Sequence, residues 1–544
     1  MAKGNDKNAN QLPDSAMQFI KHVIKKVRYR KMVRADVQAE LLTHFEDELQ
    51  DCNTEQERLE KANHLIEEFG DIKLLATLIR RAKKRCRPLW KKVLIRATQG
   101  VGIIFLYIFI CTLPLMIGKP TIKVDYLQYL NENEKAGRED SENARVYYEK
   151  AAELLVPMPD WLIPNNFDWP SDFNEVELKK LSDWLEKNKE PLEILREAAN
   201  KYSFWSHYQK STDKGILAET IQPSITEPLP DYRHLAFAMS DNIRYEAWQG
   251  DVNQAMEDCF TIMKMGYNIG GQGFLVEQLV GIALEAVGFG ECFRLLDKVD
   301  IPAEVLQSTQ EKLNKLYAER KPVCSLESEK IYWDDLIQNS FTDDGNGDGR
   351  PVNWRGFAYT VESDWTVLKL LTFDYPSRKE ITEAVERHFD MSAELMAESP
   401  LKLHEEGIDP NNWITDFNEA PIMLEINDSA YCRVHSIGWR LKTDRHALLT
   451  VLALFRYFTV EGNFPKELNE LVQGGYIKEL PLDSYSNKPL VYIPDNEGDF
   501  MLYSVGSNFT DDGGTIGTNS QGKRRVKYED NGDWIYWPLI ELEK

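Results

Sequence analysis

Twenty-two consecutive residues between Arg96 and Lys119 carry no charge and read ATQGVGIIFLYIFICTLPLMIG. As a helix rising about 1.5 Å per residue this run reaches roughly 33 Å, enough to cross the hydrocarbon core of a bilayer. The competing reading is a buried core helix, but uncharged runs of this length are rare in soluble folds. Pro114 falls near the end of the run, where a membrane helix tolerates proline. The chain is read as spanning a membrane once, at 98–118.

The flanks orient the span. Arg80, Arg81, Lys83, Lys84, Arg85, Arg87, Lys91, Lys92 and Arg96 precede it, and only Lys119 and Lys123 follow closely. The positive-inside rule places residues 1–97 in the cytoplasm and 119–544 across the membrane. Residues 1–97 hold 21 basic and 14 acidic side chains, a net of +7. The remainder holds 44 basic and 74 acidic, a net of −30. An overall charge of −23 argues against nucleic acid as a partner. The basic run before the span is read as topology and contact with anionic lipid heads. A span preceded by so long a segment is not a cleaved signal peptide.

Residues 15–85 read as three amphipathic helices. Phe19, Ile20, Val23, Ile24 and Val27 share a face of the first, and Val37, Leu41, Leu42, Phe45 and Leu49 recur along the second. The third, Glu55 to Phe69, precedes Gly70-Asp71, a C-cap followed by an N-cap, and then Leu74 to Ile79. Glu40-Leu41-Leu42-x-His44 and Phe69-Gly70-Asp71-x-x-x-Leu75-Ala76 resemble the HAAS-type, or permease-prefix, domain. That resemblance implies a cytoplasmic signalling or interaction module. His44, Glu46, Asp47 and Glu48 are read as a solvated helix face.

From Tyr126 to Val323 the pattern is helical. ENARVYYEKAAELL and IRYEAWQGDVNQAMEDCFTIMKMG look like fragments of tetratricopeptide-type helix pairs, with Ala247, Gly250-Asp251 and Ala255 at a close-packed turn. No clean period of about 34 residues recurs, so degenerate helical hairpins are expected. The Gly-rich YNIGGQGFLVEQLVGIALEAVGFGE is read as a buried helix pair, because Glu277 and Glu285 argue against a second span. Trp161, Trp169, Trp184 and Trp205 are read as packing residues, with a sugar platform as the alternative.

Asp344, Asn346 and Asp348 with Gly349 follow D-x-N-x-D-G, the start of a calcium loop, in which alternate oxygens aim at one ion. The twelfth position is Arg355 rather than glutamate, so a full EF-hand is not expected. A nonstandard calcium loop and a plain Asn/Asp/Gly turn remain as readings. No H-E-x-x-H, P-loop or G-x-S-x-G occurs. Ser211 to Lys214 matches S-x-x-K, but in a polar context unlike the buried helix that this chemistry requires. Cys259, Cys292, Cys324 and Cys432 would lie outside the cytoplasm, as disulfides of undetermined pairing or as buried thiols.

The C-terminal segment begins with an apolar helix at Ala447 to Phe458, then Gly462-Asn463-Phe464-Pro465 and a short helix at Leu468 to Val472. Strands follow in PLVYI, DFMLYSVG and DWIYWPL. Gly462, Phe464, Pro465, Leu468, Leu471, Tyr476, Ile477, Leu480, Pro481, Asp483, Pro489, Tyr492, Asp499, Phe500, Leu502, Tyr503, Ser504 and Gly506 match, in order and spacing, the globular part of the type II secretion major pseudopilin family. The resemblance implies a calcium site in the last loop, with Asp511 and Asp512 as ligands and Asp530 and Asp533 closing it. Crowded carboxylates repel unless solvated or bridged by a cation. Here the fold stands behind a separate span, so a polymerising pilus subunit is not expected.

These readings define a mainly α chain with a C-terminal α+β domain. Residues 1–14 form a disordered tail, 15–97 the cytoplasmic helical module, 98–118 the span, 119–430 a helical extracytoplasmic region and 431–544 the pseudopilin-like domain. The expected function is non-catalytic interaction or assembly in the bacterial inner membrane, near type II secretion-like machinery. The expected partners are the lipid bilayer and envelope proteins, and calcium is the only cofactor implied. One rival is a periplasmic hydrolase with its cleft in the helical body. The other is a sensor coupling an external ligand to the N-terminal module.

Overall fold

A computed structural model of the chain describes residues 12–85, 89–159, 161–162, 169–201, 203–210, 221–222, 228–271, 273–318, 324–343, 345, 349–352, 371–372, 376–411, 413, 422–495, 498–518, 528 and 530–540. The chain is mainly helical, with a three-stranded antiparallel sheet near its C-terminus. It divides into two compact units, Met1–Ile110 and Cys111–Lys544.

The first unit contains four helices before the apolar run, where the sequence suggested three: α1 (Asp14–Lys26), α2 (Lys31–Glu48), α3 (Glu55–Phe69) and α4 (Ile72–Arg85). The short apolar stretch after Gly70 extends into a full helix. Gly70 ends α3 at φ +68°, and the Asp71 carboxylate accepts from the amides of Lys73 and Leu74 to start α4. Thr54 and Glu57 form a capping box at the head of α3. Phe19, Phe45 and Phe69 meet at ring distances of 5.6–6.1 Å over a core that includes Val23, Val37 and Ala62. His44 lies edge-on to Phe69 at 5.6 Å, and Glu46, Asp47 and Glu48 are exposed.

Helix α5 (Leu89–Ile117) carries the uncharged run. Its window Val93–Leu113 has a mean hydropathy of 2.0 and is exposed along most of its length, with Cys111 buried near its end. Ile103, Ile104 and Phe105 are each more than half exposed.

The second unit is a layered helical body. Helices α6 (Tyr126–Lys135), α7 (Ala144–Leu154), α8 (Glu175–Lys187) and α9 (Lys189–Ala199) precede α10 (Pro228–Gln249), α11 (Val252–Ile269), α12 (Leu275–Lys298), α13 (Ala303–Tyr317) and α14 (Glu327–Ser340). A two-stranded ribbon, β1 (Gln209–Lys210) and β2 (Ile221–Gln222), lies before α10. The Gly250-Asp251 turn forms the expected hairpin: Gly250 sits at φ +94°, Asp251 caps α11, and Ala247 and Ala255 are buried.

The Gly-rich stretch is a close helix seam. A Cβ on Gly266 of α11 would lie 2.5 Å from Gly281 O, and one on Gly281 of α12 would lie 2.3 Å from Gly270 N. Backbones approach this closely only where side chains are missing. The glutamates of α12 are buried and paired. Glu277 accepts from the hydroxyls of Ser206 and Tyr208, Glu285 from Tyr317 and Arg445, and Glu291 from Arg244 and Arg294.

After α15 (Arg378–Ala397) and α16 (Pro400–Glu405) comes α17 (Ile422–Glu461), 40 residues long and continuous across residue 430. Its segment from Ala447 to Leu454 is almost entirely buried, which is why that stretch reads as apolar all round. Gly462 at φ +77° ends the helix, and α18 (Asn469–Gln473) follows. Strands β3 (Val491–Pro494), β4 (Phe500–Ser504) and β5 (Trp534–Trp537) pair in the order 3-4-5, with a bulge between Leu502 and Tyr503. Phe455, Phe464, Phe500 and Trp537 form one aromatic cluster between helix and sheet.

Candidate functional site

The four aspartates of the C-terminal loop lie in one region but have separate partners. Asp533 is fully buried, and its oxygens accept from the amides of Asp512 at 3.3 Å and Gly514 at 2.7 Å. Burial raises its pKa, and the neighbouring Asp511 and Asp512 add to the shift against those two amides. Asp511 accepts from the Tyr503 hydroxyl at 2.8 Å and from the Gly513 amide. Asp512 accepts from Asn508 at 2.8 Å, and Asp530 from Ser507 at 2.7 Å. Among the described residues no three acidic, His or Cys side chains converge as metal ligands.

The middle calcium candidates, Asp344, Asn346 and Asp348, lie outside the described residues, as does the Ser211–Lys214 match. The frame around the middle loop is described. Phe341 bridges Pro351, the Thr342 amide donates to Arg350 O, and Asp343 pairs with Lys123.

The described cysteines form no disulfide, which favours the second of the two readings for them. Cys259, Cys292, Cys324 and Cys432 are all buried thiols. Burial pushes Cys292 up to about 12 and raises Cys259 well above the usual thiol range, the opposite of what an activated nucleophile needs.

A site that no local motif announces lies in the helical body. Helices α7, α10 and α12 and the segment after α7 enclose a cavity of about 970 Å³. Leu155, Met158, Phe237 and Val287 supply apolar walls. Trp184 closes one side, its indole N–H donating to Val156 O and Pro157 O. Asp241, Arg244, Glu291 and Arg294 bring the charge.

Glu291 accepts from both arginines, whereas Asp241 is 5% exposed and its Oδ2 has no donor among the described residues. Its nearest cation, Arg244 Nη1, is 3.8 Å from Oδ1. Burial, reinforced by Glu291 and opposed by Arg244, pushes Asp241 up to about 7. Asp241 and Arg244 are one helical turn apart in sequence, but Glu291 and Arg294 are some fifty residues on. Only the packing of α10 against α12 brings these groups together.

The buried pair Arg196–Asp258 reads as structural. Asp258, with no exposed surface, takes a bidentate contact from Arg196 at 2.6 and 2.7 Å and further bonds from Asn242 and Gln254. Trp205 packs under Arg138, and Trp161 meets Phe173 edge-on. Compared with protein-family models, curated proteins and solved structures, the chain matches none.

Proposed function

We propose that this chain is a single-pass protein of a bacterial inner membrane, with residues 1–97 cytoplasmic and the second unit outside. In this reading it has a non-catalytic interaction or assembly role near type II secretion-like machinery. One observation carries the anchor: a 21-residue apolar window exposed along most of its length and preceded by a dense basic run. Water exposure of so much apolar surface would be costly, and a bilayer removes that cost.

Support for the C-terminal assignment comes from motif residues that contact one another. Asp483 bonds Ser504, and Tyr492 donates to Pro465 O at 2.6 Å. Calcium at Asp511, Asp512, Asp530 and Asp533 belongs to the same proposal. The N-terminal module would then offer its solvated α2 face to a cytoplasmic partner.

Protease treatment of spheroplasts tests the topology, and cross-linking followed by affinity capture tests the role. Digestion of the second unit with survival of residues 12–85, and capture of one defined envelope partner, is the expected result. A second unit that survives intact in spheroplasts, or a membrane protein that cross-links to nothing specific, sinks the reading.

The Asp241 cavity favours a second reading, a hydrolase. A carboxyl poised near neutrality in an apolar cleft is suited to general acid–base work. Turnover of chromogenic ester, amide or phosphate-ester substrates, abolished in Asp241→Asn at unchanged melting temperature, would support it. Equal turnover by the variant would remove it.

A further inference from the structure

Helix α4 turns one face into the N-terminal module and leaves leucines on the other. Ile72, Leu75, Ala76 and Ile79 pack into the core around Phe19 and Phe45. Leu74 and Leu78 lie on the opposite side, 61% and 52% exposed, and exposed Arg81 comes one turn further on. Positions i, i+4 and i+7 share a helix face, so these three make one outward stripe. A helix whose only task is to close the module would show water a polar face there. Here the middle of the outward face is apolar.

The charges indicate what covers it. Ile72–Arg85 holds six Lys/Arg and no Asp/Glu. Lys83 pairs with Glu40, but Arg80, Arg81 and Lys84 are exposed and meet no carboxylate within ion-pair distance among the described residues. Two copies of this face would oppose like charges. Leucines beside free cations match a surface that is apolar inside and anionic outside, which is an anionic lipid leaflet. Chain length brings such a surface within reach. Trp90, 62% exposed, stands three residues before the apolar window, at the level where tryptophans mark a membrane interface. Helix α4 ends at Arg85, and the chain between holds that end within about 20 Å of Trp90.

We propose that α4 lies on the cytoplasmic leaflet as an interfacial helix, with Leu74 and Leu78 sunk among anionic lipids and Arg80, Arg81 and Lys84 on their head groups. This rests on the single-pass reading. It goes beyond the contact expected of the basic run, because it seats the folded module itself on the bilayer. The module is then held in one orientation at the membrane instead of swinging on a tether.

The test uses the full chain reconstituted in vesicles, with the photoreactive p-benzoylphenylalanine replacing Leu74, Leu78, Leu59 or Ile104 in turn. Leu59 is an exposed leucine of α3, and Ile104 lies within the span. In vesicles of equal phosphatidylcholine and phosphatidylglycerol, irradiation should give lipid adducts at positions 74, 78 and 104, several-fold above position 59. Each basic residue strengthens attachment to an anionic surface about fivefold. Pure phosphatidylcholine, or the triple variant Arg80→Gln/Arg81→Gln/Lys84→Gln in mixed vesicles, should therefore cut the α4 adducts at least about fivefold. The adduct at position 104 should not change. Adducts at 104, with 74 and 78 no higher than 59, overturn the proposal and leave the span standing. No lipid adduct at 104 removes the span and the proposal with it. Adducts at 74 or 78 that join two copies of the chain, or equal yields in pure phosphatidylcholine, also overturn it.

Discussion

The Ser504 hydroxyl donates a 2.9 Å hydrogen bond to Asp483 Oδ1, and both residues are buried. The bond joins the turn after Leu480-Pro481 to the end of β4. Asp483 also accepts from the Tyr485 amide at 3.1 Å and the Ser486 hydroxyl at 3.2 Å. Asp483→Ala removes the acceptor for several donors at once and should lower stability by about 2–3 kcal/mol, whereas Ser504→Ala should cost about 1 kcal/mol. Thermal melts of the two singles and the double measure this. The double should cost less than the sum of the singles, because the residues share a bond.

The pair Arg196–Asp258 makes a sharper demand. Asp258 has no exposed surface, and Arg196 is its only cation within ion-pair distance among the described residues. Arg196→Met leaves that carboxylate charged and uncompensated, at a cost of about 3–5 kcal/mol. Chemical denaturation should find a clearly lower midpoint for Arg196→Met than for Lys312→Met, whose exposed partner Glu257 loses only a surface pair.

Elements with a local signature were legible in the sequence, and sites made by distant packing were not. Periodicity finds α1 to α3, the Gly70-Asp71 boundary and the three C-terminal strands, because each depends on neighbours a few residues away. The bond between Asp483 and Ser504 was visible only as a matched pair of motif positions. Asp241 carries no pattern of its own. It lies on an ordinary helical face, and its isolation arises when α10 meets α12. The 40-residue α17 was seen only in part, since its first half alternates charged and apolar residues without one dominant face.

The glycine seam yields a prediction with its own control. Gly266→Ala or Gly281→Ala forces a methyl against backbone atoms within 2.5 Å, where no side chain can give way. Each should destabilise by more than about 2 kcal/mol through overpacking. Gly290→Ala lies on the same helix with nothing within 4 Å and should stabilise by about 0.5–1 kcal/mol through helix propensity. Melting temperatures moving in opposite directions would establish the seam, and a harmless Gly281→Ala would disprove it.

Stability against pH should show two opposing contributions. Asp241 and Glu246 are both pushed up to about 7, chiefly by burial. Between their unfolded values near 4 and about 7 the folded chain holds protons that the unfolded chain has released. Their contribution is full at acid pH and is lost as pH rises through 7. His435 is pushed down to about 4 by burial, so the unfolded chain binds its proton first. Its contribution is full above about 6.5 and is lost as pH falls through 4. In melts from pH 4.5 to 8, Asp241→Asn should therefore lose stability on acidification relative to the parent, and His435→Gln should gain it. The same slope in all three would refute the assignment.

Asp533 separates the structural role of the acidic loop from a metal-binding one. Its two oxygens hold the amides of Asp512 and Gly514, a task that needs no ion. Asp533→Ala should therefore cost about 2 kcal/mol in the presence of a chelator, since it strands two amides at a turn. Asp511→Asn and Asp512→Asn keep their shape and their side-chain partners and should be nearly silent under the same conditions. If calcium binds, its effect follows mass action: a tenfold excess over the dissociation constant adds about 1.4 kcal/mol to the folded state. Millimolar calcium should then raise the melting temperature of the parent but not of the Asp511→Asn/Asp512→Asn double variant. A parent indifferent to calcium, with Asp533→Ala still unstable, would leave the four aspartates as a polar clasp and confine the pseudopilin resemblance to the fold.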